Sequence, residues 1–144
     1  MRLTTKGRYA ITALLDIALN QTIGPVPLKL LAKRQAISLT YLEQLFLRLR
    51  RFGIVYSKRG SKGGYLLSRD SQCISLLEIL HATGELTEGT QCNDCRGSLY
   101  CLTHCLWGDL NKMMQSPLKG ITLASLMDRE DVKIVFQRLE NECQ

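Results

Sequence analysis

Cys92, Cys95, Cys101, His104 and Cys105 place four thiols and an imidazole within fourteen positions, and these are soft or borderline metal ligands. Zinc favours a Cys-x2-Cys couple matched with a second couple, yet five residues between couples is shorter than the loop of the common zinc modules. Iron-sulfur clusters accept closer and less symmetrical thiolate sets, and one imidazole can replace a thiolate with a raised reduction potential. Both metals stay open on chemistry alone. A thioredoxin-like use of Cys92 and Cys95 requires a strand-to-helix setting that their polar surroundings do not supply. His104 and Cys105 compete for the fourth position: if Cys101 opens a helix, residues three and four further on share its side. Cys73 and Cys143 stand apart and read as ordinary packed or exposed thiols, and His81 as a packed or surface histidine.

A second chemistry lies upstream. Between Gln44 and Arg69 there are seven basic residues (Arg48, Arg50, Arg51, Lys58, Arg59, Lys62 and Arg69) and no acidic one. Residues 1–69 carry 13 basic and 2 acidic side chains, whereas residues 70–144 carry 6 and 11. A chain polarised in this way points its N-terminal half at a polyanion, or else exposes a solvated basic face. Ser38, Thr40, Glu43 and Gln44 suit contacts to base edges from a helix in the major groove, and Arg59 with Lys62 suits a hairpin tip in the minor groove. Tyr41, Arg48 and Arg50 complete the expected DNA-contact set. Glu43 is unusual there: a carboxylate near phosphates is favourable only if it accepts from a cytosine amino group or rejects other sequences, the alternative being a local pair with a neighbouring Arg.

The elements that must position these groups follow from periodicity. Tyr9, Ala10, Ala13, Leu14, Ile17 and Ala18 form one apolar helical stripe, with Thr4 or Thr5 as its cap and residues 24–27 as its end. Pro27 opens a second helix that stops near Gln35, and after the turn Ala36-Ile37, Ser38 caps a third whose Leu42, Leu45, Phe46 and Leu49 face inward. Gly53 closes it. Short β-prone runs at 54–59 and 65–67, joined by Gly60-Ser61-Lys62-Gly63-Gly64, read as a hairpin. The expected fold is therefore mainly α with a small β-hairpin wing: a winged helix-turn-helix. A buried helix from Ile74 to a break at Gly84, a polar loop over 85–100 and a long amphipathic helix from Leu102 follow.

Composition sets the limits. With 144 residues, 45% hydrophobic and 22% charged, the chain is one compact domain or two small units sharing a core, and disorder or low complexity is excluded. Arg2, Lys6 and Arg8 before an apolar stretch imitate a signal peptide, but Asp16 interrupts it and no cleavage site follows. The stretch is also short of the ~20 residues that span a bilayer. A cytoplasmic chain with reduced or metal-bound thiols and no membrane partner is expected.

The opening MRLTTKGRYA, the stretch ISLTYLEQLF over 37–46, the wing RGSKGGYLL over 59–67 and the run CLTH over 101–104 together resemble the bacterial iron-sulfur cluster regulators. These belong to a family of dimeric winged helix-turn-helix repressors that also contains nitric-oxide sensors, and the similarity runs from residue 1 to about residue 126. It implies a 2Fe-2S cluster on Cys92, Cys95, Cys101 and His104. It also implies a helix-turn-helix over roughly 28–51, a wing near Arg59, and a homodimer joined through the long helix after the cluster loop. Three departures stand out. The interval Cys92-x2-Cys95 is three residues shorter than in those regulators, Cys105 replaces a small apolar residue, and Pro117 should kink or end the dimer helix. For the helical pattern after Met127 the resemblance offers nothing.

The combined expectation is a homodimeric, non-enzymatic, DNA-binding transcription regulator in the bacterial cytoplasm, repressing or activating iron-sulfur assembly genes according to cluster status. Residues 1–70 would form the reading unit, and residues 71–144 the cluster loop (about 85–105) and dimerisation helices. Cluster ligation would order the loop and bias the two reading heads. Two-fold symmetry predicts pseudo-palindromic double-stranded sites with half-sites ~10 bp apart or a multiple of that. A histidine ligand would make retention pH-sensitive. The competing expectations are a zinc-stabilised regulator or adaptor, and a thiol-redox protein using Cys92 and Cys95.

Overall fold

The computed structural model describes residues 4–86 and 104–143. Helix α1 (Thr5–Asn20) buries Ala10, Ala13, Leu14, Ile17 and Ala18 on one face, as the apolar spacing predicts. Its start differs from expectation. Thr4 occupies the N-cap position, but neither its side chain nor that of Thr5 supplies the cap. Instead both carboxylate oxygens of Glu85 accept from the first turn, Oε2 from the Thr4 N–H and Oε1 from the Gly7 N–H, each at 3.1 Å. A full negative charge with two acceptors serves the positive end of a helix dipole better than one hydroxyl. The helix also stops before Gly24, because the Asn20 side-chain amide folds back onto the Asp16 carbonyl at 2.8 Å and the Asn20 carbonyl accepts from the Ile23 N–H at 2.9 Å.

Helices α2 (Leu28–Gln35) and α3 (Leu39–Arg51) form the helix-turn-helix. The turn passes through Ala36 at φ 53°, and Ser38 caps α3 through its hydroxyl, which accepts from the Tyr41 N–H. Leu42, Leu45, Phe46 and Leu49 all point inward. Strands β1 (Val55–Lys58) and β2 (Gly64–Leu67) pair antiparallel, Val55 opposite Leu67 and Lys58 opposite Gly64. The wing is tied to the linker between α1 and α2 by reciprocal bonds between Val26 and Tyr65 at 3.0 and 2.9 Å. Gly64 permits that closeness, since a Cβ there would lie 2.4 Å from the Val26 carbonyl carbon.

A 3-10 turn over Ser71–Cys73 precedes α4 (Leu76–Thr83), which starts two residues later than periodicity suggests because Ile74 is used for pairing. The Leu123 N–H donates to the Ile74 carbonyl and the Leu76 N–H to the Ile121 carbonyl, so the chain closes on itself after α5 (His104–Gly120). Residues 76–121 are thus an excursion pinned at both ends. Pro117 does not end α5. Its ring is exposed and the Met113 carbonyl it leaves unbonded belongs to a residue 69% exposed, so water can satisfy that group while buried Leu118 holds the last turn. A capping box between Thr122 and Ser125 starts α6 (Leu123–Met127), and α7 (Glu130–Cys143) confirms the helical pattern near the C-terminus.

One hydrophobic core joins α1, α3 and the wing to Ile74, Ile79 and Leu123. Among the described residues no helix is long and apolar enough to cross a membrane. The core also holds a charge pair. Asp16 is 1% exposed and Arg34 is 8% exposed, with the guanidinium Nη2 2.8 Å from the carboxylate Oδ1. That contact is Coulombic rather than an aligned hydrogen bond, while Gln35 Nε2 donates to Asp16 Oδ2 at 2.7 Å. Phe136 of α7 lies over the guanidinium, its centroid 5.9 Å from Cζ.

Removing one partner strands the other charge in the core, so Asp16→Ala should cost about 3–5 kcal/mol in chemical denaturation. The double change Asp16→Leu with Arg34→Met should cost far less or nothing. Burial raises the Asp16 carboxyl above its ordinary value, against the lowering effects of Gln35, Arg34 and Asn20, with Glu140 adding to the rise. An acid with a raised folded value contributes stability that is fully present below its unfolded value of 3.8 and is lost as pH rises through the folded one. Wild type should therefore lose more stability than the double variant as pH rises above 3.8 through the raised Asp16 value.

Candidate nucleic-acid interface and metal centre

The buried face of α3 leaves its polar residues on the surface. Thr40, Glu43, Gln44 and Arg50 are exposed, and Glu43 makes no salt bridge among the described residues, so the local pair with a neighbouring Arg is not formed. Ser38 is exposed but its hydroxyl is engaged in capping. Tyr41 is half-buried, its ring edge-on to Tyr9 with centroids 5.6 Å apart, which fixes the first turn of α3 against α1. Arg59 and Lys62 stand exposed on the wing. With Lys58 they line a cleft of about 510 Å³ between the wing and the turn after α1, whose other walls include Asn20, Pro25 and Leu30.

Two of the seven basic residues are committed within the protein. Arg69 is paired with Glu78 of α4, and Arg48 reaches across from α3 to donate from Nη1 to the Thr83 carbonyl at 3.3 Å. One residue outside the expected set joins the surface: Lys6 of α1 lines a small cleft with Tyr41, Gln44 and Arg48. Its spacing in the chain carries no sign of this, since only the packing of α1 against α3 brings it there.

Cys92, Cys95 and Cys101, and the side chains of His104 and Cys105, lie outside the described residues. His104 and Cys105 open α5, about 100° apart around its axis. Among the described residues no three metal-ligating side chains gather. Cys73 is an exposed free thiol, and His81 is half-buried with its Nε2 lacking a hydrogen-bond partner among the described residues.

In the chain the cysteine-rich stretch lies between α4 and α5 or at the start of α5, and exposed basic residues lie on α3 and the wing. Residues 3–129 match the Rrf2 family, described as iron-dependent transcriptional regulators. The HTH-type transcriptional regulator IscR of Yersinia pestis is 49% identical over 145 residues, covering 99% of this chain and 88% of its own. That of Cronobacter sakazakii is 50% identical, covering 99% and 90%. The likeness therefore includes α7, beyond the limit near residue 126 that the motifs suggested. Among solved structures, T. potens IscR has a TM-score of 0.72 at 35% identity, over 88% of this chain and 86% of its own. CymR, the global cysteine regulator of B. subtilis, has a TM-score of 0.73 at 29% identity, over 88% and 96%. These relatives are named as regulators and not as enzymes, and the chain belongs with them: it is a DNA-binding transcription regulator of the Rrf2 family, of the IscR type.

Proposed function

We propose that this regulator senses iron-sulfur cluster status by binding a 2Fe-2S cluster through Cys92, Cys95, Cys101 and His104, with Cys105 competing for the fourth place, and governs iron-sulfur assembly genes. The observation that carries the reading is the three-cysteine, one-histidine set in a chain 49% identical to IscR. The donor chemistry fits: three thiolates and one imidazole supply the four protein ligands of a two-iron cluster. When bound, the cluster adds a redox-sensitive cross-link among residues 92–104 of the excursion. The protein's own residues do the rest. Thr40, Glu43 and Gln44 present donors and acceptors to base edges, with Ser38 and Tyr41 at the entry of α3, while Arg50, Arg59 and Lys62 bind phosphates and the minor groove. Residues 1–70 form the reading unit and residues 71–144 the sensing and dimerising unit.

On α5, Leu106, Leu110, Met113 and Met114 are exposed at helical spacing and form the apolar face of a homodimer. Such a dimer, in the bacterial cytoplasm, reads pseudo-palindromic double-stranded sites with half-sites ~10 bp apart or a multiple of that. Glu43 is exposed and unpaired within the described chain, which suits a residue that accepts from cytosine or penalises other sequences.

Anaerobically purified protein should be red-brown with visible charge-transfer bands and hold two irons and two sulfides per chain. Colourless protein with stoichiometric zinc would overturn this reading. His104→Ala should bleach the spectrum and Cys105→Ala should preserve it; the reverse result assigns the fourth position to Cys105. DNA affinity should fall steeply with salt, and Arg59→Ala should lower affinity for cognate duplex and reduce the salt slope by about one. Binding indifferent to salt and to that change would contradict docking through the wing.

A further inference from the structure

The basic residues of α3 and the wing have the chemistry of phosphate ligands, but Arg48 is placed for another task. Its Nη1 donates to the carbonyl of Thr83, the last residue of α4, at 3.3 Å. The next residue, Gly84, adopts φ +77° as the helix turns out of α4, and a Cβ there would sit 3.6 Å from the same Nη1. Glu85 then caps α1 through the Thr4 and Gly7 N–H groups. Thr83 and Glu85, on either side of Gly84, thus hold α3 on one side and the first turn of α1 on the other. In the chain Glu85 precedes Cys92 by about seven residues.

We infer that Thr83, Gly84 and Glu85 form a clasp through which the state of the cysteine segment sets the position of α3, and that Arg48 is a positioning residue of this clasp rather than a phosphate ligand. The inference rests on the proposed cluster-sensing function for what the clasp transmits, but its geometry stands on the contacts above. A displacement of the chain leaving α4 pulls on a carbonyl held by α3 and on a carboxylate held by α1 together. Because α1 and α3 meet at the Tyr9–Tyr41 ring contact, a change at the clasp alters how α3 is presented. Coupling of this kind is a free-energy difference between two states, and it vanishes when one grip is released.

The test uses the full chain, cluster-loaded and metal-free, on one operator duplex selected from a random pool, with affinity measured by anisotropy across salt concentrations. In the metal-free protein Arg48→Ala should leave the salt slope unchanged, whereas loss of a phosphate contact lowers it by about one. Arg48→Ala and Glu85→Ala should each retain the visible spectrum while bringing the ratio of loaded to metal-free affinity to within about twofold of one. Glu85→Gln, which keeps an acceptor oxygen but not the charge, should fall between them and wild type, and serves if the alanine variant folds poorly. A slope lowered by about one in Arg48→Ala makes Arg48 a phosphate ligand and overturns its assignment. A wild-type affinity ratio in the Glu85 variants overturns the clasp. A wild-type chain that takes up no cluster refutes the proposed function instead, and the metal-free salt slope still decides the role of Arg48.

Discussion

The buried face of α1 is the constraint on which the rest of the structure depends. Gly7, Ala10 and Ala13 keep that face shallow, so α4 and α6 approach from the C-terminal half while α2 and β2 approach from the N-terminal half. The room is tight: a Cβ on Gly7 would lie 3.0 Å from Leu80 Cδ2 and 3.1 Å from the Glu85 carboxyl carbon. Native interiors tolerate little added volume at such contacts. The consequence is a single core in which α2, α3 and α4 share one support.

Closure of the chain around that support is the second requirement. The short pairing of Ile74 and Leu76 with Leu123 and Ile121 brings both ends of the α4–α5 excursion to the same place, with Ile74 and Leu123 both fully buried. Of this excursion, α4 contributes Ile79 and Ala82 to the core. Leu106, Leu110, Met113 and Met114 of α5 are exposed on this part of the chain.

Charge is distributed by the same logic. Most cations of the N-terminal half stay on the surface, where they create a long-range attraction for a polyanion that salt can screen. The exceptions are informative. Arg34 is buried against Asp16 under α7, Arg69 pairs with Glu78, and Arg48 bonds a main-chain carbonyl. In each case a basic residue in or near the helix-turn-helix and wing fastens an element to its neighbour. Asp16, which in the linear chain only interrupts an apolar stretch, is the counter-charge that makes Arg34 tolerable in the core.

Local order was legible in the sequence because it depends on short-range physics. The stripe on α1, the Ser38 cap, the inward residues of α3 and the glycine-rich wing follow from side-chain spacing and cap chemistry within a few residues. The cysteine-histidine stretch and the basic surface were legible as residue types, and the resemblance gave the chain a family. What only the tertiary structure decided involves partners distant in the chain. Glu85 caps a helix 78 residues or more away, Arg48 is drawn to Thr83, Arg34 is buried with Asp16, Lys6 joins the surface of α3, and α5 runs past Pro117. A polar side chain's partner depends on which backbone groups the fold leaves unpaired nearby, and no window of neighbouring residues contains that information.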